Sequence, residues 1–288
     1  MSAERAFIES LKALATDPAA RGLADDCAVI EIGGEALVLT HDMMVEGVHT
    51  LPGQDLADVA WKLVASNLSD LAAKGARPVG VLLAHTLGPG DDRFLAGLAE
   101  VLGRHEVPLL GGDTVSGGPP RSWGLTAIGR ATHRPVPSRA GARPGDTVWV
   151  SGPLGGAMAG FEALRDGAKA DSTAFRRPLA CLAEGEALAP LVTAMMDISD
   201  GLLLDSSRMA EASGVTLALV AKHVPLAVPE SRRAEALRWG EDYELLFTLP
   251  AGIQPTVSAW RIGEARERGV APVLLDGSVP EAPLGYEH

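Results

Sequence analysis

The sequence predicts an α+β protein made of two domains, and three observations carry that reading. Segments with strand character and segments with helical periodicity are mixed in both halves of the 288 residues, without the regular alternation of a doubly wound sheet. Hydrophobic residues make up 47% of the chain, a share that supports packed cores and excludes a disordered polymer. Residues 133–145 break the pattern with three prolines, three arginines and almost no large apolar side chain, and they read as a connector. The division falls there, giving domains of residues 1–135 and 136–288.

Residues 27–32 and 36–40 have strand character and flank Gly33-Gly34, which marks a hairpin. Over residues 56–73, Leu56, Val59, Ala60, Leu63, Val64 and Leu71 recur at three- and four-residue steps, the period of a helix. At about 100° per residue, Asn67 and Asp70 fall on that same apolar face. A carboxylate there points at the core or into a cleft, and it needs a partner. Residues 79–87 read as a buried strand and 91–102 as an amphipathic helix with Phe94, Leu98 and Val101 on one side. A strand over 107–110 ends in Gly111-Gly112-Asp113, and 123–131 is another. The second half opens with a strand at 146–150, the turn Ser151-Gly152-Pro153-Leu154-Gly155-Gly156 and a helix. The segment from Asp197 to Asp200 precedes a helix that Gly214 terminates, and 215–221, 243–249 and 270–275 read as strands.

Twenty-five basic against thirty-seven acidic residues leave a net charge of −12, which argues against nonspecific binding to nucleic acid or anionic membrane. Cys27 and Cys181 form no metal-finger spacing and suggest no disulfide framework. The first fourteen residues carry Glu4, Arg5, Glu9 and Lys12, unlike a signal peptide, and no apolar run is long enough to cross a bilayer. A reducing cytoplasm is the expected setting.

The chemistry is carried by aspartates at the ends of apolar runs: Asp25-Asp26, Thr40-His41-Asp42, Asn67-Leu68-Ser69-Asp70, Gly111-Gly112-Asp113 and Asp197-Ile198-Ser199-Asp200-Gly201. Mg²⁺ takes few protein carboxylates and completes its octahedron with water and phosphate oxygens, so scattered aspartates suit several ions bridging a polyphosphate. The competing reading is that aspartates cap helices and fill turns. That reading is preferred for Asp25, Asp91 and Asp146, function is preferred for Asp70, and Asp200 stands evenly between the two. The turn at 151–156 reads as a tight turn in preference to a phosphate cradle, and it is not a P-loop. The arginines at 130, 134, 139 and 143 read either as a solvated linker or as phosphate contacts. Cys27 has no neighbouring base to make it a nucleophile.

Taken in order, Asp-Asp-Cys-Ala-Val, Thr-His-Asp-Met-Met-Val-Glu-Gly-Val-His, Asn-Leu-Ser-Asp-Leu-Ala-Ala-Lys-Gly-Ala, Gly-Gly-Asp-Thr, Ser-Arg-Ala-Gly-Ala-Arg-Pro-Gly-Asp, Met-Asp-Ile-Ser-Asp-Gly-Leu and Gly-Glu-Asp-Tyr-Glu-Leu resemble the thiamine-monophosphate kinase family, from about Leu23 to the closing Gly-Tyr-Glu-His. The resemblance implies a two-domain fold of the aminoimidazole ribonucleotide synthetase type and a homodimer formed through the N-terminal domains. It implies transfer of the γ-phosphoryl of ATP to thiamine monophosphate, the closing step of thiamine diphosphate biosynthesis. By the same likeness Asp26, Asp42, Asp70, Asp113, Asp197 and Asp200 match ligands of several Mg²⁺ ions, with Thr40 a further one. Gly112, Asp113, Arg139 and Ser199 match positions near ATP, and His49 and Glu241 match substrate contacts. The acceptor phosphate has a second pKa of about 6 and is mostly dianionic at neutral pH, so no general base and no phosphoenzyme are expected.

Four positions depart from the family pattern. Ala24 replaces a usual glycine, and His41 replaces a threonine before Asp42, which removes a hydroxyl from the metal region. Lys74 replaces a common methionine, a change expected to be harmless. Pro283 stands where an aromatic residue often stacks on the thiamine ring, with Trp239 and Tyr286 as candidate substitutes. Within the superfamily, Cys27 lacks the lysine neighbour of a selenophosphate synthetase, and Glu287-His288 is not the reactive cysteine ending of a hydrogenase maturation protein. A binding module that has lost catalysis is a further alternative, against which the intact set of six aspartates argues.

Overall fold

A computed structural model describes residues 3–287. After the short helix α1 (Ala3–Lys12), β1 (Ala28–Ile32) and β2 (Glu35–Val45) form a hairpin. Its two turn residues, Gly33 and Gly34, have φ of 59° and 87°, the region glycine adopts without steric cost. The helix α2 (Leu56–Ala73), β3 (Ala76–Leu87), α3 (Asp91–His105), β4 (Leu109–Ser116) and β5 (Ser122–Ala131) complete a five-stranded sheet in the order β1-β2-β5-β3-β4. Only the β3–β4 pair is parallel, which is why α3 must cross between them.

The second half builds a six-stranded sheet in the order β11-β8-β10-β6-β9-β7 from β6 (Thr147–Val150), β7 (Ala194–Asp197), β8 (Val215–Leu219), β9 (Leu245–Leu249), β10 (Trp260–Glu267) and β11 (Val273–Leu275). Helices α4 (Gly156–Arg165), α5 (Thr173–Arg176), α6 (Leu182–Leu188), α7 (Leu202–Ser213) and α8 (Arg233–Ala236) connect or cover it. Both sheets mix parallel and antiparallel pairs, as an α+β fold requires. The strands β7 and β10 have no counterpart in the sequence reading. β7 is four residues long, and β10 carries charges on a half-exposed run, so neither shows a clear apolar period.

Helix α2 is the axis of the molecule. Its apolar face packs on β2 and β5 with Val38, Leu63, Leu68 and Leu125 in one core. Its other sides meet α3, α6 and β7, so Lys62, Asn67 and Ser69 are buried as well. The amphipathic pattern at 56–73 is therefore only half the story: the polar stripe also faces protein. Close approach depends on two glycines. A Cβ on Gly97 of α3 would lie 2.2 Å from the carbonyl oxygen of Ala57, and one on Gly185 of α6 would lie 2.0 Å from that of Ala72.

The far face of the first sheet is open, with Met43, Leu82, Leu110 and Val115 all exposed. No helix among the described residues is long and apolar enough to cross a membrane.

Gly97→Ala is expected to destabilise the protein by about 1–3 kcal/mol, because α3 must move off α2. Gly103→Ala in the same helix meets no atom within 4 Å and is expected to be neutral or stabilising by up to about 1 kcal/mol. Urea unfolding of both variants checks this, and equal midpoints would remove the close-packing argument.

An acidic cavity with an aromatic wall

A cavity of about 700 Å³ lies where β2 and α2 face the segments around Asp197–Asp200 and Arg238–Tyr243. Asp26 enters it from the residues before β1, Asp42 from β2, Asp70 from the last turn of α2, Asp197 from the end of β7 and Asp200 from the turn before α7. Carboxylate oxygens of Asp26, Asp70 and Asp197 lie within 4.8 Å of one another. Like charges this close and this buried cannot all ionise without cations. Burial, with the neighbouring charges of Asp42 and Asp197, pushes the Asp70 carboxyl well up. Burial and the charge of Asp26 push Asp197 up to about 8. Burial also raises Asp42.

Hydrogen bonds aim these groups. The Thr40 hydroxyl donates to Asp70, and Ser69 Oγ donates to Asp197 at 2.6 Å. Thr40 thus orients a carboxylate from the buried side of β2. Asp200 does not cap α7, whose N-cap is Gly201; its carboxylate pairs with Arg208 and lines the cavity. The backbone N–H of Glu241 donates to the Ser199 carbonyl at 2.8 Å and that of Tyr243 to Ile198 at 3.0 Å, which ties the two loops together. His49 Nδ1 accepts from the Val45 N–H at 3.0 Å, so the neutral ring carries its proton on Nε2.

The lining also holds an aromatic cluster of Phe161, Phe175 and Trp239, together with Tyr243 and with Tyr286, whose N–H donates to the Asp200 carbonyl at 3.0 Å. Phe161 stacks obliquely on Trp239 at 5.2 Å and edge-on to Phe175 at 5.3 Å. Lys62, fully buried on α2, places Nζ 2.5 Å from Glu241 Oε1 and 3.7 Å from the centre of the Phe175 ring. Glu241 has φ of 65°, uncommon for a residue with a side chain, and this cation holds it there. Pro283 lines the cavity as well. Lys62, Phe161 and Phe175 went unread in the sequence. A lysine at a helical position reads as solvated, and only the register of α2 reveals otherwise.

Several sequence-level readings change. Lys74 is not a harmless substitution: its ammonium is fully buried and pairs with Asp25 Oδ1 at 2.6 Å and with Asp26. Asp25 is accordingly no turn former but an ion-paired group, which Arg21 also binds at 2.6 Å. Although burial opposes it, Lys74 and Arg21 hold its carboxyl well below the usual range. Of the four connector-region arginines, Arg139 alone lines the cavity, with Nε 2.7 Å from Asp26 Oδ1. Arg130 and Arg134 pair with Glu35 and Glu31 at the surface. The turn at 151–156 holds no anion site, because the Asp242 carboxylate already accepts from the N–H groups of Gly155 and Ala157. His41 points to the open face of the sheet, 2.9 Å from Thr126 Oγ1.

Gly112 and Asp113 are not brought to this cavity. The strand continues through them to Ser116 instead of ending there. Gly112 is required by strand pairing, since a Cβ would fall 1.9 Å from the Leu83 carbonyl oxygen. The register Asp42–Leu125–Leu83–Gly112 puts Asp113 in the row of Met43, on the opposite face of the pleat from Asp42. Three strand spacings, about 14 Å, separate it from Asp42.

This arrangement has relatives. Residues 24–131 match the model of the AIR synthase related protein N-terminal domain, and residues 143–273 that of the C-terminal domain. The thiamine-monophosphate kinase of Escherichia coli is 38% identical over 249 residues, covering 80% of this chain and 76% of that protein. That of Caulobacter vibrioides is 35% identical over 303 residues, covering 94% and 86%. A solved structure of AaThiL complexed with AMPPCP and TMP superposes with a TM-score of 0.87 at 30% identity, covering 98% of this chain and 96% of that one. With two family domains in order and such identity along most of its length, the chain belongs to the thiamine-monophosphate kinase family of AIR synthase related proteins.

Proposed function

We propose that this chain transfers the γ-phosphoryl group of ATP to thiamine monophosphate, giving thiamine diphosphate and ADP. The observation that carries the reading is a cavity that brings a carboxylate cluster and a set of aromatic side chains together. The acceptor has the same two halves, a phosphate and a pair of aromatic rings. The thiazolium ring is cationic, and Glu241, steadied by Lys62, offers it a carboxylate among aromatic faces. His49 also lines the cavity and is assigned to the substrate.

The acidic half fits Mg²⁺. Its donors are hard carboxylate oxygens, and the unfavourable crowding of Asp26, Asp70 and Asp197 is the kind that divalent cations relieve. Asp26, Asp42, Asp70, Asp197 and Asp200 would hold the ions, with Thr40 orienting Asp70. When bound, Mg²⁺ supplies charge cancellation between two anionic phosphates, which is what this transfer chiefly needs. Arg139 and Ser199 line the cavity at positions suited to the nucleotide. Cys27 is not a covalent relay, because it lies outside the cavity and burial pushes its thiol well up. The acceptor phosphate, already mostly dianionic at neutral pH, is itself the nucleophile in this reading, and transfer is direct.

The division into domains 1–135 and 136–288 belongs to the same reading, with the first sheet ending at Ala131 and the second starting at Thr147. So does a homodimer through the open face of the first sheet, where Met43, Leu82 and Val115 lie exposed. Asp113 sits on that side and Gly112 directly precedes it in the strand, so we assign their metal and nucleotide roles to a second copy's cavity. The two unpaired cysteines suit a reducing cytoplasm.

ADP release with Mg·ATP is expected to depend on thiamine monophosphate, with thiamine diphosphate formed one-for-one, and Asp70→Asn is expected to lower kcat about 100-fold or more. Turnover indifferent to thiamine monophosphate would overturn the reading. Val115→Asp is expected to convert dimers to monomers in sedimentation equilibrium; a wild-type monomer would refute the dimer. A pH effect follows from Asp197. Its folded pKa of about 8 exceeds the ordinary 3.8, so the folded state binds the extra proton. The resulting stability is full below about pH 4 and is lost as pH rises towards 8. In EDTA the Tm is expected to fall between pH 5 and 8, and Mg²⁺ is expected to reduce that fall by binding the ionised cluster. Parallel slopes with and without Mg²⁺ in differential scanning fluorimetry would contradict this.

A further inference from the structure

Lys74 occupies an unusual place. It directly follows α2, its side chain is fully buried, and its three N–H donors meet Asp25 Oδ1 at 2.6 Å, Asp26 Oδ2 and the Met195 carbonyl oxygen at 3.3 Å. The remaining oxygens of that aspartate pair are also taken: Arg21 holds Asp25 Oδ2, and Arg139 holds Asp26 Oδ1. The other two members of the cluster are treated differently. Asp70 and Asp197 receive hydroxyl donors from Thr40 and Ser69 and, among the described residues, no ammonium or guanidinium in hydrogen-bond contact. Four carboxylates thus meet three cations, all placed at the Asp25–Asp26 end.

We propose that Lys74 is a resident counter-cation of the transfer site, taking at Asp25–Asp26 the charge-cancelling place that a divalent ion would otherwise fill. The inference rests on the reading of the cavity as a Mg²⁺ site and deepens it. A tethered ammonium costs no ion-binding equilibrium and keeps Asp26 poised near Asp70 and Asp197 before any metal arrives. It also competes for the Asp26 oxygen that faces it, so divalent ions gather at the Asp70–Asp197 end. The position favours a cation for a second reason, since it lies at the negative end of the α2 dipole.

The test is a Mn²⁺ titration of the full chain without nucleotide, followed by loss of the free-ion electron paramagnetic resonance signal, with Tm measured in EDTA and in Mn²⁺. Lys74→Met is expected to bind one more Mn²⁺ or to bind Mn²⁺ about tenfold tighter, equivalent to about 1.4 kcal/mol. It is also expected to show a lower Tm in EDTA and a larger rise on adding Mn²⁺. Lys74→Arg keeps wild-type binding. Asp25→Asn leaves the ammonium to Asp26 alone and is expected to weaken Mn²⁺ binding, which supplies an opposite sign should Lys74→Met fail to fold. A Lys74→Met isotherm identical to wild type, with equal Tm loss in EDTA and Mn²⁺, would make Lys74 a structural ion pair only. Wild-type protein that binds no Mn²⁺ would instead overturn the metal reading itself, and the proposal with it.

Discussion

The mutual repulsion of buried carboxylates at the end of α2 is the constraint on which the rest depends. Asp26, Asp70 and Asp197 come from three distant parts of the chain and converge within 4.8 Å. Such a cluster is tolerated in a folded protein only where other groups offset its charge. The molecule meets that demand unevenly, with ammonium and guanidinium groups on the Asp25–Asp26 side and only hydroxyl donors on the Asp70–Asp197 side. Both sides line the cavity, and the Asp70–Asp197 side brings its charge there uncompensated. Charge left over from folding is thereby made available for ligand binding.

Helix α2 makes this possible because it is enclosed on every side. One stretch of the helix places Asn67, Ser69 and Asp70 towards different neighbours, and each is used. Asn67 Oδ1 accepts from the Asp42 N–H at 3.1 Å, Ser69 bonds Asp197, and Asp70 enters the cavity. One turn earlier Lys62 reaches through the core to Glu241. The same helix therefore holds the first sheet, the second sheet and both halves of the site in one register. Glycines at 97 and 185 let the flanking helices close around it. A ligand pulling on the acids would be felt by both sheets.

The two halves of the cavity divide the work. The acidic half controls charge, and the aromatic half controls shape. Pro283 lines the cavity together with Trp239 and Tyr286, and Phe161 backs Trp239 at 5.2 Å. The Lys62–Glu241 pair stands on the aromatic side, where a buried charge needs a fixed partner. Burial lowers the Lys62 pKa while Glu241 works against it, which ties the position of each to the other.

Local pattern by itself determined a good deal. Helix 56–73, the Gly33-Gly34 hairpin and the Gly214 stop follow from apolar period and glycine placement, and the structure has them at those residues. The inward direction of Asp70 also follows, because 100° per residue leaves no other face for it. The ordered motifs sufficed for the family. Tertiary structure alone decided what depends on pairing between distant segments. That Lys74 neutralises Asp25 and Asp26, that Lys62 serves Glu241, and that Asp113 lies on the far face of its sheet cannot be read from neighbours in the chain. The physical reason is that charge compensation and strand register are set by through-space contact, and a sequence states only which groups are present to make it.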